Sequence, residues 1–306
     1  MADDRGQILL GGYAAKQCPV RVQNDYSPLV PTRRWVPSPE DQARLDAGIT
    51  FERNVFERLV ALHPTAVAVD PQLPKADMIA ATVHAMDSDA PLVLGGWLPD
   101  DVAGGRTGRP DLLVKVASGY LPADVKHHST VKPGNTTRAL LSAVASPDTW
   151  REVSGWTAAT SHRYEDGMQL ARYTRMLQAC GNHHGPEMLW GAVLGTSRVA
   201  VTPGNGPGLV FVWHDLGEPL VETFSRSRGK VRRSILERYD HEHAFRVKAA
   251  ENARRITGSD DDPRQLVEPI GQNECRRCPY EQWCAQQMGP DEPSAAITIG
   301  RLGTRE

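Results

Sequence analysis

Several protein classes are excluded by what this chain lacks. It has no surplus of charge: 35 Lys and Arg stand against 37 Asp and Glu, a formal net charge of −2. A polyanion would therefore have to be met by a local patch, because the surface as a whole does not attract one. No stretch approaches the roughly 20 consecutive apolar residues of a membrane helix. The opening "MADDRGQILLGG" is acidic where a secretory leader is basic, and its apolar run is short. The expectation is a cytoplasmic protein with no membrane partner. Five cysteines are then not a disulfide framework. No internal repeat is visible.

What is present is ordinary in bulk. The 306 residues are 40% hydrophobic and 24% charged, enough for one large core or two modest ones. The first forty residues are irregular and Pro-rich. A helix is expected from Pro39 to Leu62, because Ser38 can cap it, Pro39 suits its first position and acids fill its first turn. "PLVLGGWL", "DLLVKVA" and "YLPADVKHH" read as strands. Residues 129–162 are weakly patterned and read as a long excursion, a mobile insertion. "YEDGMQLARYTRMLQACG" reads as a helix stopped by Gly181. "LWGAVLGTSRVAVT" and "GLVFVWHDL" read as strands, and a long helix is expected over Lys230 to Ile256. This order predicts an α/β fold with a mixed central sheet flanked by helices.

Three places carry polar residues where packing asks for apolar ones. On the first long helix, Leu45, Ile49, Phe56 and Leu59 define an apolar stripe, and Glu52 falls in register with it. An inward carboxylate costs several kcal/mol unless it is paired or binds a cation. An Arg partner would serve, and so would a metal. In "GRPDLLVKVASGYLPADVKHH" (108–128), strand alternation puts Asp124 and Lys126 on one face and Ala123, Val125 and His127 on the other. Asp111 opens the neighbouring strand, so a hairpin brings the two aspartates together. Converging carboxylates repel unless a divalent cation neutralises both, and hard oxygen ligands suit Mg²⁺ or Mn²⁺. A lysine beside them can hold an attacking water or stabilise charge on a phosphorane. A solvated surface hairpin with an Asp–Lys pair would read the same way. Gln169 and Tyr173, at i and i+4, share a helix face, which alone is ordinary packing.

Taken in order, "GITFE" with Glu52, "GRPD" with Asp111, "DVK" with Asp124 and Lys126, and "QLARY" with Gln169 and Tyr173 resemble the motifs of the RecB-family branch of the PD-(D/E)XK nucleases. Many members carry His where this chain has Glu52. The resemblance implies a restriction-endonuclease-like core. Asp111, Asp124 and the Val125 carbonyl would bind Mg²⁺ or Mn²⁺, with Glu52 as a further ligand or water-positioner. Lys126 would activate water, and Gln169 and Tyr173 would orient Lys126 and the DNA backbone. It also implies a metal-dependent deoxyribonuclease acting on single strands or DNA ends, in repair or end-processing. The chain has no G-x-x-x-x-G-K-[ST] phosphate loop, so a helicase would be a separate partner. The alternative is a non-catalytic single-strand binding or annealing protein on the same scaffold.

"ECRRCPYEQWC" supplies Cys275, Cys278 and Cys284, and "KQCPVR" supplies Cys18. Four thiolates suit a [4Fe–4S] cluster or a structural Zn²⁺. Zinc sites favour two C-x₂-C knuckles, which Cys18 does not provide. One remote cysteine plus a C-terminal trio resembles the iron–sulfur subgroup of RecB-like nucleases, which includes CRISPR-associated exonucleases and the AddB nuclease domain. The cluster is the favoured occupant and zinc the alternative, in a structural role that ties the chain ends together. A zinc-stabilised partner-binding protein is a further alternative. Arg226, Arg228, Lys230, Arg232 and Arg233 form a local basic run read as a DNA-phosphate site at a helix start; a solvated helix face is the alternative for the basic residues that follow. The expected division is an N-terminal segment (1–38) with Cys18, a nuclease core (39–258) with the insertion at 129–162, an iron–sulfur segment (259–290) and a flexible tail (291–306).

Overall fold

Ser38 caps a helix as its sequence requires. Its Oγ accepts the Asp41 amide at 3.1 Å and donates to the Asp41 carboxylate at 2.9 Å, and α2 runs Pro39–Leu62. The structure, a computed structural model, describes residues 6–288 apart from 202, 203, 205 and 226, with the side chains of 136 and 137 left aside. The expected tail at 291–306 and Arg226 lie outside the described residues. The chain divides into two compact units, one of residues 44–239 and one of residues 1–43 with 240–306.

The larger unit is an α/β fold built on an eight-stranded mixed sheet. Its strands are β1 (Val67–Ala68), β2 (Leu92–Leu94), β3 (Leu112–Val116), β4 (Gly119–Val125), β5 (Val131–Ala143), β6 (Arg151–Ala158), β7 (Trp190–Val199) and β8 (Gly208–Asp215). They lie in the order β1-β2-β3-β4-β7-β8-β5-β6. The β1–β2 and β4–β7 pairs are parallel, and the remaining pairs are antiparallel. Strand alternation sorts the core onto two faces. Leu112, Val114, Leu121 and Ala123 point one way, with Val55 and Leu59 of α2. Val93, Leu113 and Tyr120 point the other way, with Met78 and Met86 of α3 (Lys75–Asp87) and Tyr173, Met176 and Leu177 of α4 (Arg163–Ala179). Gly181, at φ +78° just past the α4 C-cap, supplies the left-handed turn that ends the helix.

Four expectations need correction. The weakly patterned stretch 129–162 contains β5 and β6, which pair with each other and, through β5, with β8; their ladder hydrogen bonds outweigh weak side-chain patterning. α3 was not foreseen, because its Ala- and Met-rich face has no polar contrast to reveal a period. The helix expected from Lys230 starts at Ile235 instead, as α5 (Ile235–Ala253). Ser234 and Glu237 form a reciprocal cap there, with the Glu237 amide on Ser234 Oγ at 3.1 Å and the Ser234 amide on Glu237 Oε2 at 2.7 Å. The basic run before it is β10 (Gly229–Arg233), paired with β9 (Val221–Ser225). Finally, the buried stripe of α2 starts later than expected. Ile49 is 63% exposed and Leu45 is also exposed, and packing on the sheet begins at Phe51 and continues through Val55, Phe56 and Leu59.

The smaller unit holds α1 (Pro19–Tyr26) and α6 (Glu281–Gln287). Its core gathers Ile8, Leu10, Val22 and Ala250. Among the described residues, no helix is long and apolar enough to cross a membrane.

Candidate active site

β4 is buried along its whole length, between β3 and β7, yet it carries a carboxylate. Asp124 is 0% exposed, and neither of its oxygens takes part in a hydrogen bond. Its neighbour is Lys126, whose Nζ lies 3.3 Å from Asp124 Oδ2. Asp111 precedes β3, and the β3–β4 register, Leu112 opposite Ala123, brings it beside the end of β4. There Asp111 Oδ2 accepts the Val125 amide at 2.8 Å. Burial, and then the charge of Asp124, push the Asp111 carboxyl up to about 7, against the opposing pull of Lys126. This is the signature of two carboxylates crowded at one point with too little positive charge.

The helices complete the site from both faces of the sheet. Gln169 Oε1 on α4 accepts from Lys126 Nζ at 3.4 Å, and Gln169 Nε2 faces the Tyr173 hydroxyl at 3.4 Å. Tyr173 in turn donates to the Arg109 carbonyl at 2.9 Å. Gln169 and Tyr173 are both buried, so their helical spacing fixes the reach of Lys126. Gly108 makes this contact feasible: a Cβ there would fall 2.9 Å from the Tyr173 ring. On α2, Glu52 is half-buried. Burial raises its pKa, partly offset by the cations of Arg109 and Lys126.

Three residues of this region were missed in the sequence. Arg109 donates to the Gly95 carbonyl at 2.9 Å and sets a cation beside Glu52; Gly95, at φ +62°, has no Cβ to obstruct that guanidinium. His128 Nε2 stands 3.0 Å from Asp166 Oδ2 and stacks on His162 with ring centroids 4.3 Å apart. His128 lies two residues beyond Lys126, and Asp166 three before Gln169. The end of β4 therefore meets α4 in successive rungs, Lys126 with Gln169 and His128 with Asp166. The same two periodicities that singled out Lys126 and Gln169 would have found the second rung.

The cysteine group lies in the smaller unit. The Cys18 amide donates to Glu274 Oε1 at 2.5 Å, across 256 residues of sequence. Tyr280 donates to Asp25 at 2.8 Å, and Arg277 pairs with Asp41 at 2.9 Å. Gln272 Nε2 lies 3.8 Å from Cys18 Sγ, and Asn24 Nδ2 lies 3.6 Å from Cys284 Sγ. Burial, then Glu274, then the neighbouring Cys275 push the Cys18 thiol up to about 12. Burial, then Cys278 and Cys275, push Cys284 up to about 11. Cys275 thus acts on both Cys18 and Cys284, and Cys278 on Cys284. Cys180 belongs to the larger unit, at the C-cap of α4, with its thiol on the Leu177 carbonyl at 3.5 Å.

Among the described residues, no group of three or more His, Cys, Asp or Glu side chains is arranged so as to hold a metal ion. The donor sets nevertheless suit the groups expected of them. Two carboxylates and a carbonyl are what Mg²⁺ takes while keeping its waters, and neither Asp124 oxygen is taken up by a hydrogen bond. Four thiols suit an iron–sulfur cluster or zinc. Of the expected phosphate contacts, Arg228, Lys230, Arg232 and Arg233 lie on or beside the β9–β10 hairpin. Lys230 pairs with Glu222 at 2.9 Å and Arg233 with Glu237 at 3.8 Å. Compared with known proteins, the chain matches no family model and no curated protein.

Proposed function

We propose that the chain is a metal-dependent deoxyribonuclease, an exonuclease of single strands or DNA ends that serves repair or end-processing, on the RecB-like PD-(D/E)XK plan. The observation that carries this reading is Asp124: a carboxylate in a buried strand, without hydrogen bonds, 3.3 Å from a lysine, with a negative charge that helps to raise the Asp111 pKa. A purely structural strand has no reason to bear that cost. Bound between Asp111, Asp124 and the Val125 carbonyl, Mg²⁺ or Mn²⁺ would supply charge neutralisation and Lewis acidity toward a phosphodiester. Glu52, with its raised pKa, orients water at the open side. Lys126, held by Gln169, positions the attacking water and steadies the developing charge. Tyr173 keeps Gln169 in place through the Arg109 carbonyl.

The reading extends to the smaller unit. Cys18, Cys275, Cys278 and Cys284 hold a [4Fe–4S] cluster, with zinc as the alternative, and the cluster fastens the two ends of the chain that Glu274, Tyr280 and Arg277 already tie. A separate helicase would supply unwound strands.

The test is digestion of 5′- and 3′-labelled single- and double-stranded DNA with Mg²⁺ or Mn²⁺. Metal-dependent cleavage that disappears in Asp111→Asn supports the reading. Strand binding with no cleavage under any metal would favour the non-catalytic binding or annealing protein.

A further inference from the structure

Among the described residues, β9 and β10 pair only with each other and form a ribbon outside the main sheet. Their register sets Phe224 opposite Lys230 and Glu222 opposite Arg232, so alternation places these four side chains on one face. That face is open. Phe224 is 78% exposed, while the intervening positions 221, 223, 231 and 233 are half-buried. Arg228 adds a further exposed cation in the turn. A bare aromatic ring on a two-stranded ribbon contributes little to the fold, and here it sits among three cations and one carboxylate.

A ligand for such a face must offer a flat apolar surface and negative charge at close spacing. A nucleic-acid strand with unpaired bases does so: its bases stack on aromatic rings and its phosphates meet Lys and Arg. A duplex buries its base faces in its own stack. The root of the ribbon adds a second argument. After Arg233 the chain passes through Ser234 into Ile235, which lies against Gly167, where a Cβ would come within 3.2 Å of the Ile235 side chain. Gly167 sits between Asp166, which faces His128, and Gln169, which holds Lys126. The chain that leaves the ribbon is therefore packed, two residues on, against the same turns of α4 that line the candidate active site.

We propose that the β9–β10 ribbon is a strand-capture surface: Phe224 stacks on an unpaired base while Arg228, Lys230 and Arg232 meet the flanking phosphates. The proposal rests on the nuclease reading for the fate of the strand but not for its binding. The full chain is titrated into a short labelled single-stranded DNA with divalent cations omitted, and anisotropy reports binding. Phe224→Ala should bind roughly tenfold more weakly, Phe224→Trp should restore affinity and Phe224→Leu should not. Lys230→Ala with Arg232→Ala should lower the salt slope by about 0.7 for each phosphate no longer neutralised. Melting temperatures should not move for the Phe224 variants, because the ring is exposed. Wild-type affinity in Phe224→Ala or Phe224→Leu would overturn the proposal. So would a Phe224-dependent association with phosphatidylserine vesicles in place of the strand. Phe224-dependent binding without cleavage under any metal would sustain the surface and remove the nuclease. Cleavage with a wild-type-like Phe224→Ala would do the reverse.

Discussion

The ammonium of Lys126 stands 3.3 Å from Asp124 Oδ2, at an oxygen that no hydrogen bond reaches. Lys126 therefore serves the fold as a counter-charge to a buried carboxylate, and in the proposed chemistry it would position the attacking water.

Lys126→Ala separates these roles. Cleavage should fall at least about 100-fold, the usual span for a lost proton-transfer or charge-stabilising group. Single-strand binding without metal should persist, because the phosphate contacts proposed for Arg228, Lys230 and Arg232 do not involve Lys126. The variant should also melt at a lower temperature than wild type in metal-free buffer, since removing one partner of a buried pair strands the other. Added Mg²⁺ should recover part of that loss. A variant that cuts at the wild-type rate would remove Lys126 from the chemistry.

Asp111 predicts an unusual pH dependence of stability. Its carboxyl is at 3.8 when unperturbed and about 7 in the fold. Below about 4 it is protonated in both states and costs nothing. Between about 4 and 7 the unfolded chain ionises first, so this group's contribution falls as pH rises; above about 7 the loss is constant. Asp111→Asn removes the effect. In metal-free buffer its melting temperature should gain on that of wild type across this window and hold the gain above it. Mg²⁺ should raise only the wild type at neutral pH. Melting curves with and without metal check both statements.

The parts of the fold legible in the sequence are those whose signals are local. Pro39–Leu62 was readable because Ser38, Pro39 and the acids act within one turn, and α4 because Gly181 ends it. What was missed depends on partners distant in sequence. β5 and β6 are held by ladders to each other and to β8, and no residue among them announces that pairing. The start of α5 was misplaced because a run of cations looks helical until the Ser234–Glu237 cap is noticed. At the candidate site, strand alternation singled out Asp111, Asp124 and Lys126, the motif resemblance added Gln169 and Tyr173, and the structure brings all five together. Arg109 was hidden because it acts on Glu52 and Gly95, neither of which is near it in sequence.

The His128–Asp166 pair gives a titration of opposite sign. Burial lowers the His128 pKa, but Asp166 outweighs it and the imidazole stays protonated above its ordinary 6.5. The pair's contribution to stability is complete below 6.5 and is lost as pH rises through the higher folded value. His128 also meets Lys126, which opposes its charge, and the His162 ring, with Ser129 accepting at its Nδ1. Asp166→Asn should return the His128 titration to 6.5 or below in an NMR titration. It should cost about 0.5–1 kcal/mol at pH 6, a sum typical of partly exposed pairs, and much less at pH 9. An unchanged His128 titration in Asp166→Asn would show that the pair is not coupled.

Cys18 tests whether cluster and chemistry are separable. It belongs to the smaller unit, whereas Asp111, Asp124 and Lys126 belong to the larger. Anaerobically prepared wild-type protein should be brown, and Cys18→Ala should lose colour, because three thiolates hold a cluster poorly. It should also lose several degrees of melting temperature. The thiol is buried, and its loss leaves the two chain ends joined only by contacts such as Cys18 N–Glu274, Tyr280–Asp25 and Arg277–Asp41. Residual cleavage by Cys18→Ala should keep the wild-type preference between Mg²⁺ and Mn²⁺, since none of the residues proposed to hold that ion is touched. Asp111→Asn should stay brown, folded and inactive. Absorbance, melting curves and a cleavage assay on the two variants decide the matter. Colourless wild-type protein carrying one zinc per chain would replace the cluster by zinc and leave the division intact. Bleaching by Asp111→Asn, or a brown Cys18→Ala with unchanged melting, would show that the two sites are not independent.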